Sequence, residues 1–164
     1  TDIVHDADFL SKSGRLGLFT FCTKAALRGK NLKNSLLEDA SKELTYADAL
    51  TGNMRTAAGK QLADEKRRFI LDYFQSLLLE LKKDGIADFT IQNVSVPCPN
   101  KPRGKLRIKL VLPETCPGCG GGWNIDYAVE SGLKCRKLTA SIRCPHCASA
   151  RTIAFCLPEI SACT

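Results

Sequence analysis

No stretch of this chain reaches the ~18 consecutive apolar residues that a membrane-crossing helix needs, so no membrane partner is expected. The segment Thr1–Leu10 holds three aspartates and no apolar core, which excludes reading it as a signal peptide. Internal repeats and low-complexity tracts are also missing, which excludes a repeat architecture. There is no P-loop, no Ser/His/Asp order and no second histidine near a reactive group, so the expectation is a protein that is not an enzyme. What remains is ordinary. A 44% hydrophobic and 25% charged chain of 164 residues is a globular sequence long enough for one compact domain or two small ones.

Cysteine is present in excess, with nine residues. An odd count, two Cys-x-x-Cys pairs and no leader favour metal over disulfides, and with that an intracellular location, cytoplasmic or nuclear. The pairs are Cys116-Pro-Gly-Cys119 and Cys144-Pro-His-Cys147. Each can wrap a tight turn whose N–H groups point at the sulfurs, and two turns supply four thiolates for a tetrahedral Zn²⁺ ion. Gly120 follows the second cysteine of its turn, where a positive φ is often required. Four thiolates leave no open position, so one structural zinc is expected and no chemistry at it. His146, inside the second turn, is an alternative ligand that the two-residue spacer disfavours against Cys147.

Between the pairs, Trp123, Ile125, Tyr127 and Val129 alternate with polar or small residues, Ser131-Gly132 signals a turn, and Lys134–Arg143 alternates again. Thr152–Leu157 reads as a third strand. Two metal-binding turns joined by a small antiparallel sheet resemble a zinc ribbon over about residues 112–157. That resemblance is to a structural class and implies no particular activity. Cys135 and Cys156 read as small buried apolar residues, or, with Cys98 and Cys163, as a second metal site. His5 reads as an ordinary exposed residue.

The first hundred residues read as helical. Helices are expected over Asp6–Ser11, over Leu16–Leu27 with a glycine stop, and from a cap at Asn34 or Ser35 through Leu44. Thr45, with Asp48 three residues on, reads as the cap of another helix. The clearest helix runs from Thr56 to Lys83, where Leu62, Phe69, Ile70, Tyr73, Phe74, Leu77, Leu78 and Leu81 recur at helical spacing and Asp84-Gly85 ends the pattern. That stripe serves either a core or a homodimer through residues 56–83. Beyond Gly85, strands are expected at Phe89–Val96 and Lys105–Leu112, paired as a hairpin across an eight-residue loop. The fold class is therefore α+β: an α-helical module, 1–85, followed by a β-hairpin and a small antiparallel zinc ribbon, 86–164.

The formal charge of +7 is uneven. Residues 1–100 carry 14 Lys/Arg against 13 Asp/Glu, while 101–111 add five basic residues and no acid. In a strand, Arg103, Lys105, Arg107 and Lys109 point one way and Leu106, Ile108 and Leu110 the other. The cations then stand about 6–7 Å apart, close to the phosphate repeat of a nucleic-acid strand. Lys134, Arg136, Lys137, Arg143 and Arg151 could extend that surface. Trp123 and Tyr127 share a strand face, either to stack on bases or to fill the ribbon's core. The expected function is a zinc-stabilised nucleic-acid-binding protein, DNA or RNA, regulatory or replication-associated. The alternatives are an adaptor docking an acidic protein, a non-catalytic domain of a larger protein, and a basic strand that is simply a solvated edge.

Overall fold

The computed structural model describes residues 1–31, 37–97, 104–131 and 136–157. Four helices precede five strands: α1 (Asp2–Ser11), α2 (Gly14–Leu27), α3 (Leu37–Asn53), α4 (Ala57–Lys83), β1 (Phe89–Pro97), β2 (Lys105–Pro113), β3 (Asn124–Ser131), β4 (Arg136–Arg143) and β5 (Ala150–Cys156). The class is α+β, as the sequence indicates. The strands form two antiparallel sheets, a β1–β2 hairpin and a three-stranded sheet in the order β3-β4-β5.

Helix α4 begins where expected. Thr56 is its N-cap, its hydroxyl accepting from Gly59 N at 2.9 Å. The stripe Ile70, Phe74, Leu78 and Leu81 is buried within the chain, against Ala40, Leu44 and Ala47 of α3 and Val111 of β2. Helices α2 and α4 stop at Gly29 and Gly85, with φ of 66° and 67°. The first helix starts at Asp2, four residues earlier than expected, and its Asp6 is buried. Its carboxylate is 3% exposed and accepts from Arg55 N (2.9 Å), Thr56 N (2.9 Å) and Thr56 Oγ1 (2.7 Å). Those donors, the Thr56 hydroxyl foremost, hold its pKa well below the usual carboxylate range. A side chain at Gly59 would put its Cβ 2.2 Å from Asp6 Oδ2, so glycine is what lets α1 dock on the start of α4.

Thr45 corrects the sequence reading. It lies inside α3 and caps nothing; one continuous helix spans Leu37–Asn53. Its hydroxyl donates to Ser41 O at 2.8 Å and accepts from Lys109 N at 3.1 Å, and Ser41 Oγ accepts from Val111 N at 2.8 Å. Ser41 and Thr45 are one helical turn apart and fully buried. They meet N–H groups of β2 on the edge that β1 does not cover, doing by hydroxyls what a third strand would do. The expected caps Asn34 and Ser35 lie outside the described residues.

The hairpin register pairs Phe89 with Pro113 and Pro97 with Lys105, so residues 98–104 connect the strands, one fewer than expected. Residues directly opposite share a face. Val94, Val96, Leu106, Ile108, Leu110 and Leu112 therefore form one face, which packs on Leu138, Ala140, Ile142, Ile153 and Phe155 of the second sheet. On the other face Phe89, Ile91 and Val111 pack against the helices. The hairpin is the middle layer of three. Trp123 Nε1 donates to Pro113 O at 2.9 Å and Tyr127 Oη to Ser95 O at 3.2 Å, tying β3 to the hairpin.

Candidate metal centre and basic face

Strand β2 runs directly into the first Cys-x-x-Cys turn, and the second turn joins β4 to β5. In the first, Cys116 O accepts from Cys119 N (3.3 Å) and Gly120 N (2.7 Å), while Cys116 N donates to Gly121 O (2.7 Å). Gly120 has φ of 73°, a left-handed conformation that glycine adopts without steric cost. In the second, Cys144 N donates to Ser149 O at 3.0 Å.

These turns bring the Sγ atoms of Cys116, Cys119, Cys144 and Cys147 within 4.8 Å of one another. Cys116 Sγ lies 3.5 Å from Cys147 Sγ, and Cys119 Sγ 3.3 Å from Cys144 Sγ. Such distances are too long for disulfides. The whole range, from 3.3 Å up to the 4.8 Å limit, spans the separation of about 3.8 Å that four sulfurs take around a tetrahedral ion at bonds of about 2.3 Å. The cluster can hold a metal ion. Cys116 and Cys144 are buried, Cys119 is exposed and Cys147 half-buried.

Burial opposes ionisation of Cys116, but N–H groups of Gly118 and Cys119, the Ser149 hydroxyl and Cys147 outweigh it and bring the thiol down to about 6. Ser149, through its hydroxyl and its backbone N–H, also lowers Cys147. At Cys119 the Gly121 N–H favours the thiolate, but Cys144, burial, Cys147 and Cys116 together push it up to about 12. Four thiols packed so closely cannot all ionise unaided, and a bound cation removes that conflict.

Ser149 is a member of the site that the motif does not announce, because it lies outside both Cys-x-x-Cys pairs. A Cβ on Gly118 would come 2.8 Å from Ser149 Oγ, so the glycine keeps that approach open. His146 is not among the clustered ligands; its ring lies beside Gly121, where a Cβ would meet His146 Cδ2 at 2.7 Å.

Cys156 overturns two expectations. It is disulfide-bonded, so it is neither a free buried thiol nor a thiolate for a second metal. Cys98, Cys135 and Cys163 lie outside the described residues.

Comparison with protein-family models, with curated proteins and with solved structures finds no match. The geometry must therefore carry the functional reading.

Lys105 and Arg107 are exposed on the face of β2 opposite the buried Leu106, Ile108 and Leu110, and Lys109 is half-buried beside them. Lys109 Nζ donates to Asn93 Oδ1 at 2.8 Å. Arg103 and Lys134 lie outside the described residues, as does the side chain of Arg136 at the start of β4. Lys137 and Arg143 alternate with the inward Leu138, Ala140 and Ile142, so they stand on the outer face of the second sheet. The hairpin's cations and the ribbon's cations thus lie on opposite sides of the stacked sheets. Arg151 belongs to neither set; its guanidinium lies 5.7 Å from the Phe89 ring centroid. Tyr127 is partly exposed but anchored to Ser95.

Among the described residues no helix is long and apolar enough to cross a membrane.

Proposed function

We propose that this is a non-catalytic, zinc-stabilised nucleic-acid-binding protein. An all-thiolate tetrad suits Zn²⁺ in a closed structural site, and the fit of the four sulfurs to that geometry supports one such ion. A reducing, intracellular setting is proposed for the zinc-loaded form, where the tetrad thiols stay free for metal. The Cys156 disulfide is the bond such a setting would open.

The observation that carries nucleic-acid binding is β2. Its inner face is locked in the core by Leu106, Ile108 and Leu110, which fixes Lys105 and Arg107 outward with one residue between them. A rigid row of cations at strand spacing meets successive phosphates without the entropy loss of ordering a flexible tail. Arg107 can engage a phosphate through two donors. Regulation or replication is the proposed setting, because a closed metal site and a phosphate-tracking strand bind without acting on what they bind.

Filter binding of a single-stranded oligonucleotide across a salt series tests this reading. Each phosphate contact adds about −0.7 to the log–log slope. Replacing Lys105, Arg107 and Lys109 by Gln should flatten it by about 2. No binding at low salt refutes the proposal and leaves the acidic-protein adaptor as the reading of this face.

A further inference from the structure

Helix α2 packs chiefly on α4, where Phe21 meets Phe74 edge-on with ring centroids 6.3 Å apart. Between α2 and α3 a cavity of about 420 Å³ stays open, with Ser11 and Lys12 at the end of α1 also on its wall. The charges on that wall are unequal. Lys12, Lys24, Arg28 and Lys42 line it, against Asp39 and Glu43. Lys12 is paired with Asp8, and Asp39 with Lys30, so those two wall charges are answered from outside the cavity. Among the described wall residues, Lys24, Arg28 and Lys42 are then left facing Glu43. Residues 9–37 contain no acid, so α2 cannot answer its own cations. Lys24 and Arg28 stand one turn apart on α2, a spacing at which like charges repel. Glu43 is half-buried, and burial raises its pKa, with Asp39 adding to the rise, although Lys42 and Lys24 pull the other way. Even a fully ionised Glu43 leaves about two positive charges unmatched on the wall.

We infer that the cavity between α2 and α3 binds a small molecule carrying two linked phosphates, whose oxygens meet Lys24, Arg28 and Lys42. The charge balance selects an anion, and its size selects phosphate over a carboxylate. A carboxylate brings a single charge, whereas one phosphate group brings about −1.5 to −2 at neutral pH and several strong acceptor oxygens. Two linked groups also offer acceptors to both sides at once, which suits cations carried on facing helices. Arg28 can take one phosphate through two parallel donors, and the lysines act as point charges. The volume is that of a small-molecule pocket. A nucleic-acid strand needs an extended track, which β2 supplies and this recess does not. Because all three cations sit on helices of the folded chain, binding costs less ordering entropy than closing a flexible tail around the ligand.

Isothermal titration calorimetry of the zinc-loaded full chain tests this, with inorganic pyrophosphate, adenosine diphosphate and, as control, sulfate at matched ionic strength. Saturable binding of one molecule per chain is expected for the linked phosphates and none for sulfate. Binding of pyrophosphate alone marks an inorganic ligand, and binding of both marks a nucleotide. Lys24→Gln and Arg28→Gln should weaken it about fivefold each, since both side chains are exposed to water. Lys42 is half-buried, so Lys42→Gln should cost about tenfold or more. Glu43→Gln removes the carboxylate that opposes an anion and should not weaken binding. The exposed positions of Lys24 and Arg28 predict an unchanged circular dichroism spectrum for their variants. No binding of either linked phosphate, an equal response to sulfate, or a loss of binding in Glu43→Gln overturns the inference. So does a heat indifferent to Lys24→Gln, Arg28→Gln and Lys42→Gln, which is what extraction of zinc by pyrophosphate would give. The Lys24 and Arg28 variants should keep oligonucleotide binding by β2, so this inference and the proposed function fail or survive separately.

Discussion

Removing the Ser41 hydroxyl tests how the helical layer is joined to the sheets. Ser41→Ala takes away the acceptor of the Val111 N–H, whose bond is 2.8 Å long, and both residues are fully buried. Water cannot replace that acceptor, so the cost is the desolvation penalty of an unpaired donor, about 1–3 kcal/mol. Thr45→Val keeps the side-chain shape and removes the acceptor of the Lys109 N–H. Lys109 is half-buried, so water can partly satisfy its N–H, and the loss should fall toward 1 kcal/mol. Urea unfolding of the metal-loaded protein reads both. With a slope of about 1–3 kcal/mol per molar, a loss of 2 kcal/mol moves the midpoint by about 1 M. In thermal unfolding each kcal/mol corresponds to about 2–4 °C for a chain of this size. Ser11→Ala is the control, because its hydroxyl bond to Asp8 O is exposed, and it should stay within about 0.5 kcal/mol. Hydrogen exchange adds a local readout: the Val111 amide should lose protection in Ser41→Ala beyond what the global change accounts for. If Ser41→Ala matches Ser11→Ala and Val111 keeps its protection, the hydroxyl seam does not hold β2.

Two further outcomes are expected. Chelation should remove on the order of 10 kcal/mol of metal-coupled folding energy from the ribbon, so β3–β5 should become protease-sensitive and the four tetrad thiols, resistant to alkylation when loaded, should react; unchanged digestion and alkylation would remove the metal centre from the account. Asp6 has a depressed native pKa, so its contribution is complete above the unfolded value near 3.9 and is lost as pH falls below it. Asp6→Asn should therefore be less stable than the wild type at neutral pH, with the gap closing in acid; a gap of constant size from neutral to strongly acidic pH would show that the charge is not what matters.

The metal tetrad was legible because its information is local: two residues between cysteines, two cysteines per turn, a glycine after the first turn. The α4 stripe and the alternation of β2 were legible for the same reason, since periodicity states which side chains share a face. Partners distant in sequence were not. Asp6 resembles any acid of a short amphipathic helix until α4 brings Arg55 and Thr56 to it from 49 and 50 residues away. Thr45 carries the signature of a cap, and only the arrival of β2 shows that its hydroxyl is spent on a strand. Alternation likewise places Lys137 and Arg143 on one face of their own sheet, but it does not say how that sheet stacks on the hairpin. The stacking separates them from Lys105 and Arg107. The disulfide of Cys156 was hidden by the same limit, because spacing along the chain does not report which sulfurs approach.

The hydroxyl seam also has a consequence for the chain's solubility. Lys105–Pro113 is rich in β-branched and leucine side chains, and among the described residues the hydroxyls of Ser41 and Thr45 of α3 meet the N–H groups of one of its edges. A chain shorn of its helices would keep the hairpin but bare that edge, with unpaired N–H groups at Lys109 and Val111 beside Ile108, Leu110 and Leu112. Such an edge is a template for strand-to-strand aggregation. The helical layer would then be a chaperone built into the same polypeptide, and cutting between α4 and β1 would yield an insoluble sheet instead of a smaller soluble domain.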